Sequence, residues 1–391
     1  VRTFPLPVRV LLVNQFGVNT GFYLLIPYLA THMTEDLGLS AALVGVVLGV
    51  RNLSQQGLFL LGGTAADRLG VRGVIIAGCG VRAVGFGLFA LGDSAGVLLA
   101  AAVLSGVAGA LFNPAVRAYI AVETPPERRA EAFALFSVYA QTGALVGPVL
   151  GSVLLLVDFR LSATVAAGIF ALLTVVQALV LPARAVPPAP SSVFADIKAC
   201  LTNRPFMVFT LSAAGVFTLQ NQLYLVLPFE ANRATGWAGS VAGVFVLSTV
   251  VTLIGQVRVT RALKDASRQR TIACGLLVMG LGFLAPALSY LWPALSVPAV
   301  AVAVLGLAVG TMIAQPFVYE LVPAFGAERV TGTYFGVFYL VSGAAAAVTT
   351  VLVGWVSDVG GWWACLVCAA VGVLCAVTTR IPERTATCAT S

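Results

Sequence analysis

The chain has 391 residues, of which 59% are apolar and only 9% charged. Soluble domains carry about 25% charged residues, so a chain this poor in charge could not wet its own surface, and soluble globular classes are excluded. The net charge of +7 would suit a nucleic-acid binder, but the placement of the basic residues, given below, removes that reading. Twelve membrane spans of ~20 residues need roughly 240 apolar positions, and the composition supplies about that many.

Arg2 and Arg9 lead into a first apolar run, Val8–Thr31, as a secretory leader would. No small-x-small cleavage site closes it and more runs follow, so it reads as a retained span. The next runs are Ser40–Gly63, Gly73–Gly92, Ala95–Val122, Glu131–Val157 and Leu161–Leu181. Pro182–Asn203, with Pro187, Pro188, Pro190, Ser191 and Ser192, reads as a linker. The remaining runs are Arg204–Pro228, Gly239–Val259, Thr271–Leu288, Trp292–Tyr319, Gly332–Asp358 and Trp362–Thr379. Lipid offers no partner to open backbone groups, which leaves helices or a closed barrel; long runs without alternation select helices.

With both termini on the cytoplasmic side, seventeen of the 22 Lys and Arg fall inside, Arg160 and Arg233 fall outside, and Arg51, Arg82 and Arg117 fall within spans. The positive-inside rule fixes that orientation, and topology accounts for the net charge without nucleic acid. The seven Cys outline no disulfide framework; Cys365 and Cys368 form a C-x-x-C inside an apolar run and read as small core residues. No P-loop, G-x-S-x-G or H-E-x-x-H is present, so no metal or cofactor is expected.

The two halves repeat. Tyr23–Tyr28 (YLLIPY) matches Tyr224–Phe229 (YLVLPF), Asp67–Arg72 aligns with Asp265–Arg270, and Asn113-Pro114 followed by Pro126–Arg129 recurs as Gln315-Pro316 followed by Ala327–Arg329. The reading is an all-α polytopic membrane protein of twelve transmembrane helices in two pseudo-symmetric six-helix bundles. Residues 1–181 form the first, 182–203 a cytoplasmic linker, and 204–391 the second with a short tail. Such a duplication places a substrate site between the halves, opened alternately to each side.

Gly63-x-x-x-Asp67-Arg68-x-Gly70-x-Arg72 resembles the loop motif between helices 2 and 3 of the major facilitator superfamily. Gly63 allows close helix approach and Gly70 a tight turn, while Asp67 can accept from N–H groups at a helix start and Arg72 can pair with it. The resemblance implies a latch that holds the outward-open state. Gly143-x-x-x-Gly147-Pro148-x-x-Gly151 is similar to the helix 5 motif of the family's antiporters: glycines four apart let helices touch, and Pro148 bends the helix. Together with Gly21 and Pro27 in helix 1, Arg51-x-x-x-Gln55-Gln56-Gly57 and Arg82, the pattern looks most like a bacterial drug–proton antiporter of the multidrug exporter subgroup. Two departures stand out. Ala102 occupies the place of the family's helix 4 arginine, with Ser105-Gly106 at its Gln-Gly, and no Asp or Glu lies mid-span.

Intramembrane polar residues face the interior by default. Gln15, Asn19 and Tyr23 recur every four residues on helix 1; Gln220, Asn221 and Tyr224 repeat them on helix 7. Arg51 and Gln55 on helix 2, Arg82, Asn113, Gln141, Tyr334 and Tyr339 complete the cavity candidates. Amides and aromatics without a fixed array of charges suit amphipathic ligands.

The chain therefore reads as a monomeric secondary transporter of the bacterial cytoplasmic membrane, exporting small amphipathic compounds or drugs by alternating access. If protons drive it, Asp67 is the first candidate carrier and Glu230 the second. The alternative is an importer or facilitator in which Arg51 and Arg82 bind an anionic metabolite and no proton is exchanged. A membrane lipid-handling enzyme would need a nucleophile, a metal cluster or a carboxylate pair, and none is found.

Overall fold

A computed structural model describes residues 4–92, 94–182, 192–237 and 240–379. The linker prolines, Arg2, Arg184, Arg380, Arg384 and Cys388 lie outside these. Among the described residues the structure is helical, with no strand. The helices are α1 (Leu6–Thr31), α2 (Ala41–Gly57), α3 (Phe59–Leu69), α4 (Val71–Leu91), α5 (Ala95–Glu123), α6 (Pro126–Leu155) and α7 (Phe159–Val180). Then come α8 (Val193–Thr202), α9 (Arg204–Asn221), α10 (Val226–Thr235), α11 (Ser240–Ala262), α12 (Arg268–Gly282) and α13 (Leu284–Leu288). The last three are α14 (Ser296–Leu321), α15 (Thr331–Val359) and α16 (Gly361–Thr378).

Ten helical segments are long and apolar enough to cross a membrane among the described residues, or eleven when the bent pair α2 and α3 counts as one span. Their outward faces are apolar: Leu91, Leu156, Leu179, Val351 and Trp355 are all at least 70% exposed. Those side chains would be anomalous in water and are ordinary against lipid.

There are three local departures from the sequence expectations. The run Ser40–Gly63 is not one straight helix: it bends by 45° between α2 and α3 and continues to Leu69. Gly57, the last residue of α2, is a weak helix former at the bend. The run Arg204–Pro228 breaks after Asn221 and resumes at Val226. Pro228 falls in the first turn of the new helix, where its missing N–H breaks no intrahelical bond, whereas its repeat mate Pro27 is kept inside the continuous α1. The linker holds a helix, α8: the Ser192 hydroxyl accepts the Ala195 N–H at 3.1 Å, and Asp196 lies in the favourable first turn.

The chain separates into two compact units. The first comprises Val1–Pro125, Leu135–Ala199 and Gly326–Leu340; the second comprises Pro126–Ala134, Cys200–Phe325 and Val341–Ser391. Each unit thus includes one short segment from the other sequence half. In the first, α4 packs on α5 and α7; in the second, α12 packs on α14 and α16. These are equivalent helices of the internal repeat. Fully buried phenylalanines fill the first core, with the Phe86 and Phe170 rings 4.8 Å apart.

Candidate functional site

In the first unit, α3 ends in the acid and α15 begins with small residues, and the two helices meet. Gly63 lies so close to α15 that a Cβ would overlap the Gly332 carbonyl. This approach carries Asp67 to the N-terminus of α15, where backbone N–H groups have no intrahelical partner. The Asp67 carboxylate accepts the Gly332 N–H at 2.8 Å, the Thr333 N–H at 2.6 Å and the Thr333 hydroxyl at 2.6 Å. Charge-assisted bonds to a helix start are among the stronger polar contacts a protein makes.

The remaining motif residues take separate tasks. Gly70 turns the chain between α3 and α4 with φ at 90°, a left-handed value that a residue without Cβ adopts easily. Arg72 does not pair with Asp67 as expected. It donates to the carbonyls of Leu181 at 2.8 Å and Ala178 at 2.7 Å, because the turn at Gly70 points it at the open carbonyl end of α7. Arg68 pairs with Asp196 of α8 at 2.6 Å, and Arg329 approaches the same carboxylate at 3.6 Å.

The glycines of α6 lie on the polar stripe of α1. A Cβ on Gly143 would overlap the Phe16 carbonyl, one on Gly147 would meet the Thr20 carbonyl and Tyr23 Cβ, and one on Gly151 would overlap the Leu24 carbonyl. Close packing of this kind holds α1 in register. Gln15 donates to Asn19 at 2.8 Å and Asn19 to the Ala140 carbonyl at 2.9 Å, while the Tyr28 hydroxyl donates to the Pro148 carbonyl at 2.7 Å. Gln15 is buried, and Asn19 and Tyr23 are half-buried, so the helix 1 stripe is one line of residues.

Arg51 and Arg82 are both buried in this unit. The Arg51 guanidinium lies 4.7 Å from the Phe22 ring and bonds the neutral amides of Asn52 at 2.6 Å and Gln55 at 3.3 Å. Arg82 sits against the rings of Phe112 at 5.7 Å and Phe170 at 5.4 Å. Arg117 turns onto the Phe136 and Tyr339 rings and bonds the Asn113 carbonyl at 3.2 Å. Tyr334 is buried against Gly326, and Gln141 is half-buried on α6.

In the second unit, Gln220 of α9 accepts from Gln315 at 3.2 Å and lies 3.5 Å from the Thr311 hydroxyl. The helix 7 stripe does not persist beyond it: the break after Asn221 leaves Asn221 exposed and turns Tyr224 out, its ring 5.4 Å from Phe245. Glu230 is not at an open mouth. It is fully buried, paired with Arg233 at 2.8 Å and bonded by the Tyr290 hydroxyl at 2.7 Å, with Arg233 reaching Ser289 at 2.7 Å. Burial and the bond to Glu230 raise the Tyr290 phenol above its usual range, which keeps it a donor.

Two further pairs escaped the sequence reading. Glu131, near the start of α6, accepts twice from Arg261 at the end of α11, at 2.7 and 3.1 Å, and once from Arg128 at 3.2 Å. Arg268 and Glu320 form a buried pair at 3.1 Å that ties α12 to α14. Their partners lie 130 and 52 positions apart in sequence, so no local spacing announces them. Among the described residues no cluster of His, Cys, Asp or Glu could hold a metal ion.

The sequence profile of the Major Facilitator Superfamily matches residues 11–348. The chain belongs to that superfamily. A transporter of the same family from Mycobacterium tuberculosis, itself uncharacterized, is 40% identical over 363 residues, 90% of this chain and 86% of that one. The multidrug resistance protein MdtH of Proteus mirabilis is 30% identical over 351 residues, again 90% and 86% of the two chains. Among solved structures, the fucose:proton symporter of Escherichia coli superposes with a TM-score of 0.78 over 96% of this chain and 98% of that one; at 17% identity it shows the fold alone. The superfamily comprises multi-pass membrane transporters of small molecules, not enzymes, and this chain is a secondary transporter. Within it, the α3–α15 contact, the α1–α6 contact and the buried arginines are the features from which a mechanism is built.

Proposed function

We propose that this transporter exports small amphipathic compounds by alternating access, with both termini on the cytoplasmic side and with Asp67 as the latch of one access state. The observation that carries the reading is the set of three donors that Thr333 and Gly332 at the start of α15 give to Asp67. A carboxylate spanning the first and second sequence repeats holds one arrangement without a covalent tie. Its bonds are made to the open end of a helix, so both partners can be hydrated when the contact parts. At the equivalent place in the second unit the contact is of another kind, a side-chain ion pair from Arg261 at the end of α11 to Glu131 at the start of α6. The resemblance to a multidrug resistance protein over 90% of the chain supports export as the direction.

Proton coupling, where it operates, runs through Asp67. This carboxylate exchanges three protein donors for water between states, so its proton affinity depends on the state. Glu230 suits that task less, because both its oxygens are occupied by Arg233 and Tyr290 inside one unit.

The test is flux in proteoliposomes with fluorescent amphipathic dyes, with and without an imposed pH gradient. Dye-driven proton movement that is lost in Asp67→Asn is expected. Proton movement that survives both Asp67→Asn and Glu230→Gln would reject the assignment of the carrier, and the absence of dye flux under any gradient would reject export.

A further inference from the structure

We infer that Arg51 and Arg82 form a binding subsite for the anionic group of an aromatic organic anion, such as an aryl carboxylate or sulfonate. This rests on the transport reading above and deepens it by assigning the charge class of the cargo.

The argument begins with what other arginines of the chain do. Arg72 reaches two backbone carbonyls, Arg268 reaches the Lys264 carbonyl and Glu320, Arg117 the Asn113 carbonyl and Arg258 the Ile254 carbonyl. A structural arginine in this fold finds a carbonyl or a carboxylate. Arg51 and Arg82 find neither. Arg82 makes no hydrogen bond among the described residues, and Arg51 bonds only the neutral amides of Asn52 and Gln55. The Nε of each is buried without an acceptor, as is that of Arg268, so the missing carbonyl or carboxylate is what sets the pair apart; Arg51 is only 9% exposed and Arg82 only 5%.

Charge makes this arrangement more specific. Among the described residues neither arginine is ion-paired with a carboxylate. Arg51 and Arg82 repel each other. A lysine could relieve such a position by losing its proton, but a guanidinium keeps its charge, so the site is cationic in every protonation state of its neighbours. Two fixed positive charges with open donors and no counter-ion leave an anion as the complementary partner, and planar donors suit the oxygens of a carboxylate or sulfonate.

The surroundings define the rest of the ligand. The Phe22 ring stands under Arg51 with Tyr23 edge-on to it at 5.1 Å, and Phe112 and Phe170 flank Arg82. Aromatic faces beside each cation favour a flat, apolar body attached to the anionic group. Gly109 brings α5 against the Gln55 side chain, which fixes the amide that orients Arg51. All of these residues belong to the first unit.

Binding is measured by equilibrium dialysis on the full-length protein in lipid nanodiscs with three matched probes: naphthoate, naphthamide and naphthylmethylamine. Saturable binding of naphthoate is expected, weaker by about tenfold or more for the amide and the amine, as the loss of charge-assisted bonds implies. Arg51→Gln and Arg82→Gln should weaken naphthoate by about tenfold or more, and Arg51→Lys, which loses the planar donors and can shed its proton, should recover only part of that loss. Size-exclusion profiles check that each variant is folded, and Arg51→Gln alone decides where Arg82→Gln is not. No saturable naphthoate binding, equal affinity for the three probes, or naphthoate affinity unchanged in Arg51→Gln would overturn the subsite. Binding is read without flux, so a failure of export in liposomes and a failure of this subsite are separate results.

Discussion

Thr333 donates both its backbone N–H and its hydroxyl to a single carboxylate oxygen of Asp67, each at 2.6 Å. Gly332 occupies the other oxygen at 2.8 Å. An asparagine at position 67 has one acceptor oxygen and no charge, so part of this set must go unpaired. Bonds to a charged group contribute ~1.5–3 kcal/mol each, and Asp67→Asn should lower flux by about tenfold or more while the purified protein stays monodisperse. Thr333→Val, which removes the hydroxyl alone, should lower it less. Unchanged flux in both variants would reduce the contact to helix packing.

The approach that permits this contact is steric, and it can be tested separately. Gly63→Ala places a methyl group on the Gly332 carbonyl. Neither backbone can yield locally, so the helices must part and flux should fall as in Asp67→Asn. Gly87 in α4 has nothing within 4 Å of an added Cβ. Gly87→Ala should be neutral, or stabilising by up to ~1 kcal/mol through helix propensity. Thermal unfolding and flux on the pair separate contact from propensity.

Glu230 and Arg233 respond unequally to removal of a partner. The Glu230 side chain is fully buried, whereas that of Arg233 is 25% exposed. Arg233→Gln strands a buried carboxylate with only the Tyr290 hydroxyl, whereas Glu230→Gln leaves a cation that water reaches. Both variants should melt earlier than the parent, with Arg233→Gln the lower of the two. Equal melting temperatures would mean that the pair is hydrated and contributes little.

Glu131 and Arg261 invite a charge swap. Glu131→Arg and Arg261→Glu should each impair flux, and the double variant should recover part of it. Arg128 also bonds Glu131, so recovery stays incomplete. A double variant no better than the worse single one would remove the coupling between α6 and α11.

Some of this was legible in the sequence and some was not, for definable reasons. Asp67 could be read because the glycine before it and the glycine after it set a helix end and a turn within eight residues. The partner of Arg72 could not, because it is the open end of a helix more than a hundred positions away. Gln15, Asn19 and Tyr23 lie on one continuous helix, α1, from Leu6 to Thr31, whereas the chain breaks between Asn221 and Val226; both halves carry the proline, Pro27 inside α1 and Pro228 after the break, so hydropathy and the repeat alike give no sign of the difference. Gln315 was visible as part of the repeat, yet its bond to Gln220 depends on the rotation of two helices. The burial of Arg51 and Arg82 follows from depth in an apolar run, but their lack of carbonyl partners is a fact of three dimensions.

The compact units also bear on assembly. Residues 326–340 belong with the first unit and 126–134 with the second, and these segments are counterparts in the repeat. A chain made of one half alone would lack the piece that completes its own unit and would have to take it from a second copy. The covalent link between the halves therefore keeps each exchanged segment at a high effective concentration for the unit it completes, so assembly of a unit does not depend on how much protein is present.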